Sequence, residues 1–123
     1  MKALESALLT DLYELTMAHA YDALGMRETA VFELFVRRLP PTRRFFVAAG
    51  LAQVVDYLQS LHFTPADQQY LAGLGLFPPA FIEHLSGVRF TGSLHAVAEG
   101  TVVFANEPLL RITAPILEAQ LVE

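Results

Sequence analysis

The sequence predicts an α+β domain, and three observations lead there. Apolar residues recur at helical spacing from about Ser6 to Leu24, and short helical segments with proline starts fill residues 51–85. Beyond Gly87 the period changes to that of strands separated by turn residues. At 123 residues the chain is one domain by size.

The first helix carries two apolar stripes, Leu8, Leu12 and Leu15 on one and Leu9, Tyr13, Met17, Ala20 and Leu24 on the other. A helix apolar on so much of its circumference is expected to be buried on more than one side. Asp11 followed by Glu14 fits a capping box, in which the aspartate accepts an orphan N–H and Glu14 reaches back to the cap. Gly25 is placed to stop the helix. Thr29 to Arg37 reads as a strand whose nearly continuous apolar character predicts cover on both faces, and Pro40 and Pro41 end it.

Phe45 to Ala49 reads as a short second strand, with Gly50 turning the chain into a helix from Leu51 to Leu61. On that helix Leu51, Val54, Val55, Leu58 and Leu61 share one face. Pro65 starts a helix to Leu74, closed by Gly73 and Gly75, and Pro78-Pro79 starts another to about Leu85. Arg89–Thr91, Leu94–Val97, Thr101–Phe104 and Leu109–Thr113 then form a compact antiparallel meander, with turns at Gly92, Glu99-Gly100 and Asn106-Glu107-Pro108. Pro115 starts a last helix, Ile116 to Val122, with Leu117 and Leu121 on one side. No internal repeat, low-complexity tract or long linker interrupts this order.

The composition is 54% hydrophobic and 17% charged, against roughly 25% charged in an average soluble domain. Part of that apolar surface is therefore expected to meet another subunit or another part of a longer chain. No apolar run approaches the ~20 residues of a membrane helix, and the N-terminus lacks a signal-peptide pattern, so a cytoplasmic protein is expected. The absence of cysteine excludes disulfides, thiolate metal ligands and a cysteine nucleophile. A net charge of −5 argues against nucleic-acid binding. Yet four of the eight Lys and Arg residues, Arg37, Arg38, Arg43 and Arg44, fall within eight positions, a local anion trap on an acidic protein.

Arg111 lies inside an apolar strand, where an unpaired charge is costly, so a structural ion pair with Glu99, Glu107 or Glu118 is expected. The histidines at 19, 62, 84 and 95 form no cluster with acids at metal-ligand spacing, and there is no glycine-rich phosphate loop. They read as surface or half-buried side chains.

Four ordered segments carry more than local structure. Thr10-Asp11-Leu12-Tyr13-Glu14-Leu15-Thr16 is followed by Phe32-Glu33-Leu34-Phe35-Val36-Arg37-Arg38-Leu39-Pro40, then Ala48-Ala49-Gly50-Leu51, then Glu99-Gly100-Thr101-Val102-Val103-Phe104-Ala105-Asn106-Glu107-Pro108-Leu109-Leu110-Arg111. In that order they closely resemble the N-terminal part of the nicotinate phosphoribosyltransferases, across essentially the whole chain. The resemblance implies the N-terminal domain of a type II phosphoribosyltransferase at residues 1–115, with 116–123 starting the helix that leads to an α/β barrel. The chain ends before that barrel.

The same resemblance implies a full-length enzyme that forms nicotinate mononucleotide and pyrophosphate from nicotinate and phosphoribosyl pyrophosphate. The reaction is coupled to ATP hydrolysis and belongs to NAD and pyridine nucleotide biosynthesis. It is a glycosyl transfer, classed among ligases because of the ATP, and magnesium is expected with the pyrophosphate donor. ATP and Mg belong to the full-length enzyme by this resemblance, and no cofactor, catalytic residue or metal ligand is expected on this chain.

Four positions are implied to bind substrate. On the residues alone Tyr13 is a core tyrosine at a helix start; the resemblance implies a ring that crosses a dimer interface to stack on the pyridine. Asp11 is similar to the family's acid beside that tyrosine, near the bound nucleotide, a role compatible with its cap role. Arg37 matches an arginine that contacts donor phosphates from the neighbouring subunit, and Arg38 is its adjacent candidate, on the opposite strand face if the strand continues. Arg43 and Arg44 read as solvated. The partners implied are nicotinate, phosphoribosyl pyrophosphate and a second copy sharing active sites. The chain alone is expected to be inactive. The alternative is a non-catalytic, stand-alone dimerisation or nucleotide-binding module derived from the enzyme, and nicotinamide is a further substrate possibility.

Overall fold

The computed structural model describes residues 6–123. Helix α1 spans Leu12–Ala23 and strand β1 Thr29–Leu34; β2, Phe46–Val47, precedes three helices, α2 (Leu51–Ser60), α3 (Pro65–Leu74) and α4 (Pro79–Gly87). Strands β3 (Ser93–Ala96), β4 (Val102–Val103) and β5 (Leu110–Pro115) follow, and α5 (Ile116–Val122) ends the described chain. The α+β class is as the sequence predicts.

Helix boundaries follow local chemistry. Residues 6–11 are not helical as the periodicity predicts: Ser6 accepts from the N–H of Leu8 on its hydroxyl and from that of Leu9 on its carbonyl, closing a turn first. At the other end of α1, Gly25 takes φ 67°, and the N–H groups of Gly25 and Met26 bond to the carbonyls of Asp22 and Tyr21, a Schellman stop. Helix α3 carries an unforeseen cap. Thr64 Oγ1 accepts from the Asp67 N–H at 3.2 Å while Asp67 Oδ2 accepts from the Thr64 N–H at 2.8 Å.

The strands are antiparallel, but they are not a meander. Strand β5 is the centre of a three-stranded sheet in the order β1-β5-β3, and β4 leaves it to pair with β2. Arg89–Thr91 is not a strand; Glu118 instead accepts from the Thr91 N–H and hydroxyl, tying this segment to α5. Strand β1 stops at Leu34, short of Arg37, and the described residues cover only one of its faces. Ala30 and Phe32 point into the core with Ile112 and Ala114, whereas Val31 and Glu33 face outward. Arg111 stands opposite Glu33 on that outer face, and its Nη2 donates to Glu33 Oε1 at 2.6 Å. The expected ion pair is therefore present with a different partner: Glu99, Glu107 and Glu118 are held by backbone N–H groups of Leu51, Phe104 and Thr91.

Two adjoining apolar clusters form the core. One joins α1, α3, α4 and α5 through Leu15, Ala18, Leu71, Phe81, Leu85 and Leu121. The other packs Leu58 of α2 and Ala119 of α5 on Ile112 and Ala114 of the sheet. Helix α5 thus belongs to both. Burying each of its leucines stabilises the fold by about 1.5–3 kcal/mol, which fixes α5 against the start of α1.

Candidate functional site at the start of α1

The second apolar stripe of α1 does not enter the core. Leu9, Tyr13, Met17, Ala20 and Leu24 all lie exposed, as does Leu12, so the described residues bury α1 along one side only, through Leu15 and Ala18. This corrects the expectation of burial on two sides. It also leaves Tyr13 half exposed, at 50%, within an apolar strip that none of the described residues covers.

The tyrosine is nonetheless held. Its hydroxyl donates to Glu123 Oε1 at 3.2 Å, while Glu123 Oε2 accepts from Gln120 Nε2 at 2.6 Å. Gln120 is buried on α5, and its Oε1 accepts from the Tyr21 hydroxyl at 3.2 Å. Partial loss of hydration first, and then the Glu123 carboxylate, hold the Tyr13 phenol above the usual tyrosine range.

Asp11 caps α1 in the expected box, and its well-formed half is the bond from the Asp11 N–H to Glu14 Oε2 at 2.9 Å. The other half is looser: the Asp11 side chain faces the Glu14 N–H across the box without the geometry of a full hydrogen bond. Glu14 is buried, at 6% exposure. Desolvation raises its pKa against the lowering effect of the Asp11 N–H, with the Glu123 and Asp11 charges adding to the rise. Asp11, Glu14, Tyr57 and Glu123 line a cavity of about 430 Å³. Tyr57 and Glu123 also border an apolar cavity of about 340 Å³ with Leu34, Val54 and Ile112. Burial pushes the Tyr57 phenol up, and Glu14 adds to it.

Arg37 and Arg38 lie elsewhere. They follow β1 in a bend, exposed, so they do not alternate across a pleat; the bend is held by the Asn106 N–H on the Val36 carbonyl at 2.8 Å. They line none of the cavities beside Glu123. Among the described residues Arg37, Arg38, Arg43 and Arg44 form no ion pair, so four cations stand without counter-charge. Another cavity, about 450 Å³, opens at the far end of α1 between Arg27, His84, Arg89 and Glu118. Its charges are largely engaged: Asp22 Oδ1 meets His84 Nδ1 at 2.8 Å and Arg27 Nη2 at 3.3 Å.

Sequence reasoning missed Glu123, Gln120 and Tyr57 at this site. Gln120 had a legible signal, because it falls three residues after Leu117 and beside Leu121 on the apolar face of α5. Of the histidines, His19 is half-buried against Phe77 and Phe81, and the other three are exposed. Among the described residues no group of three or more acids and histidines converges to hold a metal ion, and no helix is long and apolar enough to cross a membrane.

Comparison with known proteins decides the family. Residues 8–123 match the model of the nicotinate phosphoribosyltransferase (NAPRTase) N-terminal domain. This chain belongs to that family. It is 57% identical over 117 residues to nicotinate phosphoribosyltransferase pncB2 of Mycobacterium tuberculosis, a match covering 95% of this chain and 25% of the relative. The Bacillus subtilis nicotinate phosphoribosyltransferase is 47% identical over 118 residues, covering 95% of this chain and 24% of that protein. The crystal structure of human nicotinic acid phosphoribosyltransferase superposes with a TM-score of 0.80 at 41% identity, over 93% of this chain and 24% of the human one. This NAPRTase N-terminal domain thus spans about a quarter of the length of the relatives it matches.

Proposed function

We propose that this chain is the substrate-sharing N-terminal domain of an enzyme that transfers phosphoribose from phosphoribosyl pyrophosphate to nicotinate, coupled to ATP hydrolysis in the cytoplasm. The observation that carries this is the state of α1: within a family match over residues 8–123, Tyr13 stands in an apolar strip that the described residues leave uncovered. Tyr13 stacks on the pyridine ring, Asp11 lies beside the bound nucleotide, and Arg37 with Arg38 contacts donor phosphates, in a site completed by a second copy. An exposed aromatic face suits a flat heteroaromatic ring, and guanidinium forks suit phosphate oxygens.

Residues 116–123 lead into the catalytic barrel, and the chain alone does not turn over. The described residues offer no ligand set for magnesium and no phosphate loop for ATP, so no step of the chemistry is assigned to them through either group. The test is steady-state kinetics of the full-length enzyme. Tyr13→Ala is expected to raise KM for nicotinate at least tenfold, and Arg37→Ala to raise KM for the donor. Unchanged constants in both variants, or nicotinate mononucleotide formed by the pure 123-residue chain, overturn the assignment.

A further inference from the structure

Resting on the assignment of Tyr13 to the pyridine ring, we propose that Glu123, oriented by Gln120, is a positioning residue that fixes the Tyr13 phenol as a hydrogen-bond donor and presents its ring as an electron-rich stacking face. A carboxylate only accepts, so the Tyr13 hydroxyl must donate to Glu123 and the Gln120 amide must turn its NH2 towards it. The Gln120 carbonyl oxygen then faces Tyr21, whose hydroxyl must donate in turn. The polarity of the whole chain, Tyr21 to Gln120 to Glu123 and Tyr13 to Glu123, follows from one negative charge.

Gln120 is 3% exposed, so its amide cannot exchange these partners for water without loss. Leu117 and Leu121 hold its helix in the core. Glu123 is thereby tethered on one oxygen and free to restrain Tyr13 with the other, on a helix face where the other described residues leave the ring half exposed. A phenol donating to a carboxylate carries more electron density on its ring. Such a face suits the electron-poor ring of a pyridine carboxylate.

A double-mutant cycle in the full-length enzyme tests this. Glu123→Gln keeps an acceptor of the same shape and removes the charge. It is expected to raise KM for nicotinate by about three- to tenfold, the range an aromatic pair is worth, with kcat within about twofold. In the Tyr13→Phe background the same substitution is expected to cost nothing more. An equal loss in both backgrounds overturns the proposal, because Glu123 then acts on the fold and not through Tyr13.

A second readout separates this inference from the assignment beneath it. 3-Fluorotyrosine placed at position 13 of the chain, followed by ¹⁹F NMR, is expected to titrate at lower pH in Glu123→Gln and Gln120→Leu than in the parent. Identical titrations in all three overturn the positioning role whatever the kinetics. If the titrations shift but Tyr13→Ala leaves KM for nicotinate unchanged, the positioning role stands and the stacking assignment is wrong.

Discussion

Replacing Gly92 by alanine should cost far more than a turn glycine would. A Cβ built at Gly92 collides with the carbonyl oxygen of Thr113 and lies 2.5 Å from Ala114 Cβ and 2.9 Å from Phe90 Cζ. None of these can yield cheaply. Thr113 belongs to the central strand and pairs with both Val31 and Ser93, and Ala114 is buried. The backbone at Gly92 is not in the left-handed region, so conformational strain does not enter and the whole penalty is steric. Overpacking costs about 1–3 kcal/mol, and a clash against backbone belongs at the upper end. At about 2.1 cal/mol/K of unfolding entropy per residue, a chain of this length loses roughly 4 °C of melting temperature per kcal/mol. At that rate Gly92→Ala is expected to melt about 12 °C below the parent. Gly73→Ala is the control: Gly73 sits within α3 with none of the described residues near its missing Cβ, so alanine is expected to stabilise by about 0.5–1 kcal/mol. Urea unfolding and calorimetry of the three chains decide it. A Gly92→Ala chain within about 1 kcal/mol of the parent would refute the steric account.

Phe81→Ala, which removes a side chain 2% exposed at the junction of α1, α4 and Phe77, is expected to cost about 3–5 kcal/mol in urea unfolding. Glu14 binds its proton more tightly folded than unfolded, so stability is expected to fall as pH rises from the ordinary glutamate value through the raised one. Glu14→Gln should remove that slope and be the more stable chain at neutral pH, but equal to the parent below the ordinary value; stability measured across pH checks the sign. Met17→Glu and Leu24→Glu are expected to change the stability of the isolated chain by under about 0.5 kcal/mol, because both side chains are exposed. The same changes are expected to lower the assembly state of the full-length protein in sedimentation.

Local signals are legible where a residue's own chemistry decides the outcome. Pro65 and Gly75 bound α3 as predicted, and Ile116–Val122 is a helix over the expected residues. Pairing is less so. Sequence neighbours usually pair, which predicts one meander from the four C-terminal segments, yet β5 prefers β1, far back in the chain. Nothing local encodes that choice; it follows from Ile112 and Ala114 standing beside Phe32 and Ala30 on the core face of the β1–β5 pair. Arg111 shows the same limit, since a charge inside a strand calls for a partner and only the register names Glu33. At the site, Tyr13 and Asp11 stand out in the helix-start motif. Glu123, at the opposite end of the sequence, becomes visible only when α5 packs along α1.

The arginine cluster yields a prediction that needs only this chain. Arg37, Arg38, Arg43 and Arg44 are exposed and unpaired among the described residues, while the turn from the Arg43 N–H to the Pro40 carbonyl folds their loop back on itself. Four like charges so placed repel one another, and a compact multivalent anion relieves that repulsion and gains charge-assisted hydrogen bonds. An anion that binds only the folded chain stabilises it by RT ln(1 + [L]/Kd), about 1.4 kcal/mol at ten times Kd. For this length that is a rise of about 5 °C in melting temperature. Inorganic pyrophosphate is expected to produce such a rise, and chloride at the same ionic strength much less of it, because screening alone brings no bidentate contact. The Arg37→Ala, Arg38→Ala double variant should lose the difference while unfolding at the parent's temperature in chloride. Equal shifts in pyrophosphate for the parent and the double variant would mean that the anion is held by other groups, and that the cluster is only a solvated loop.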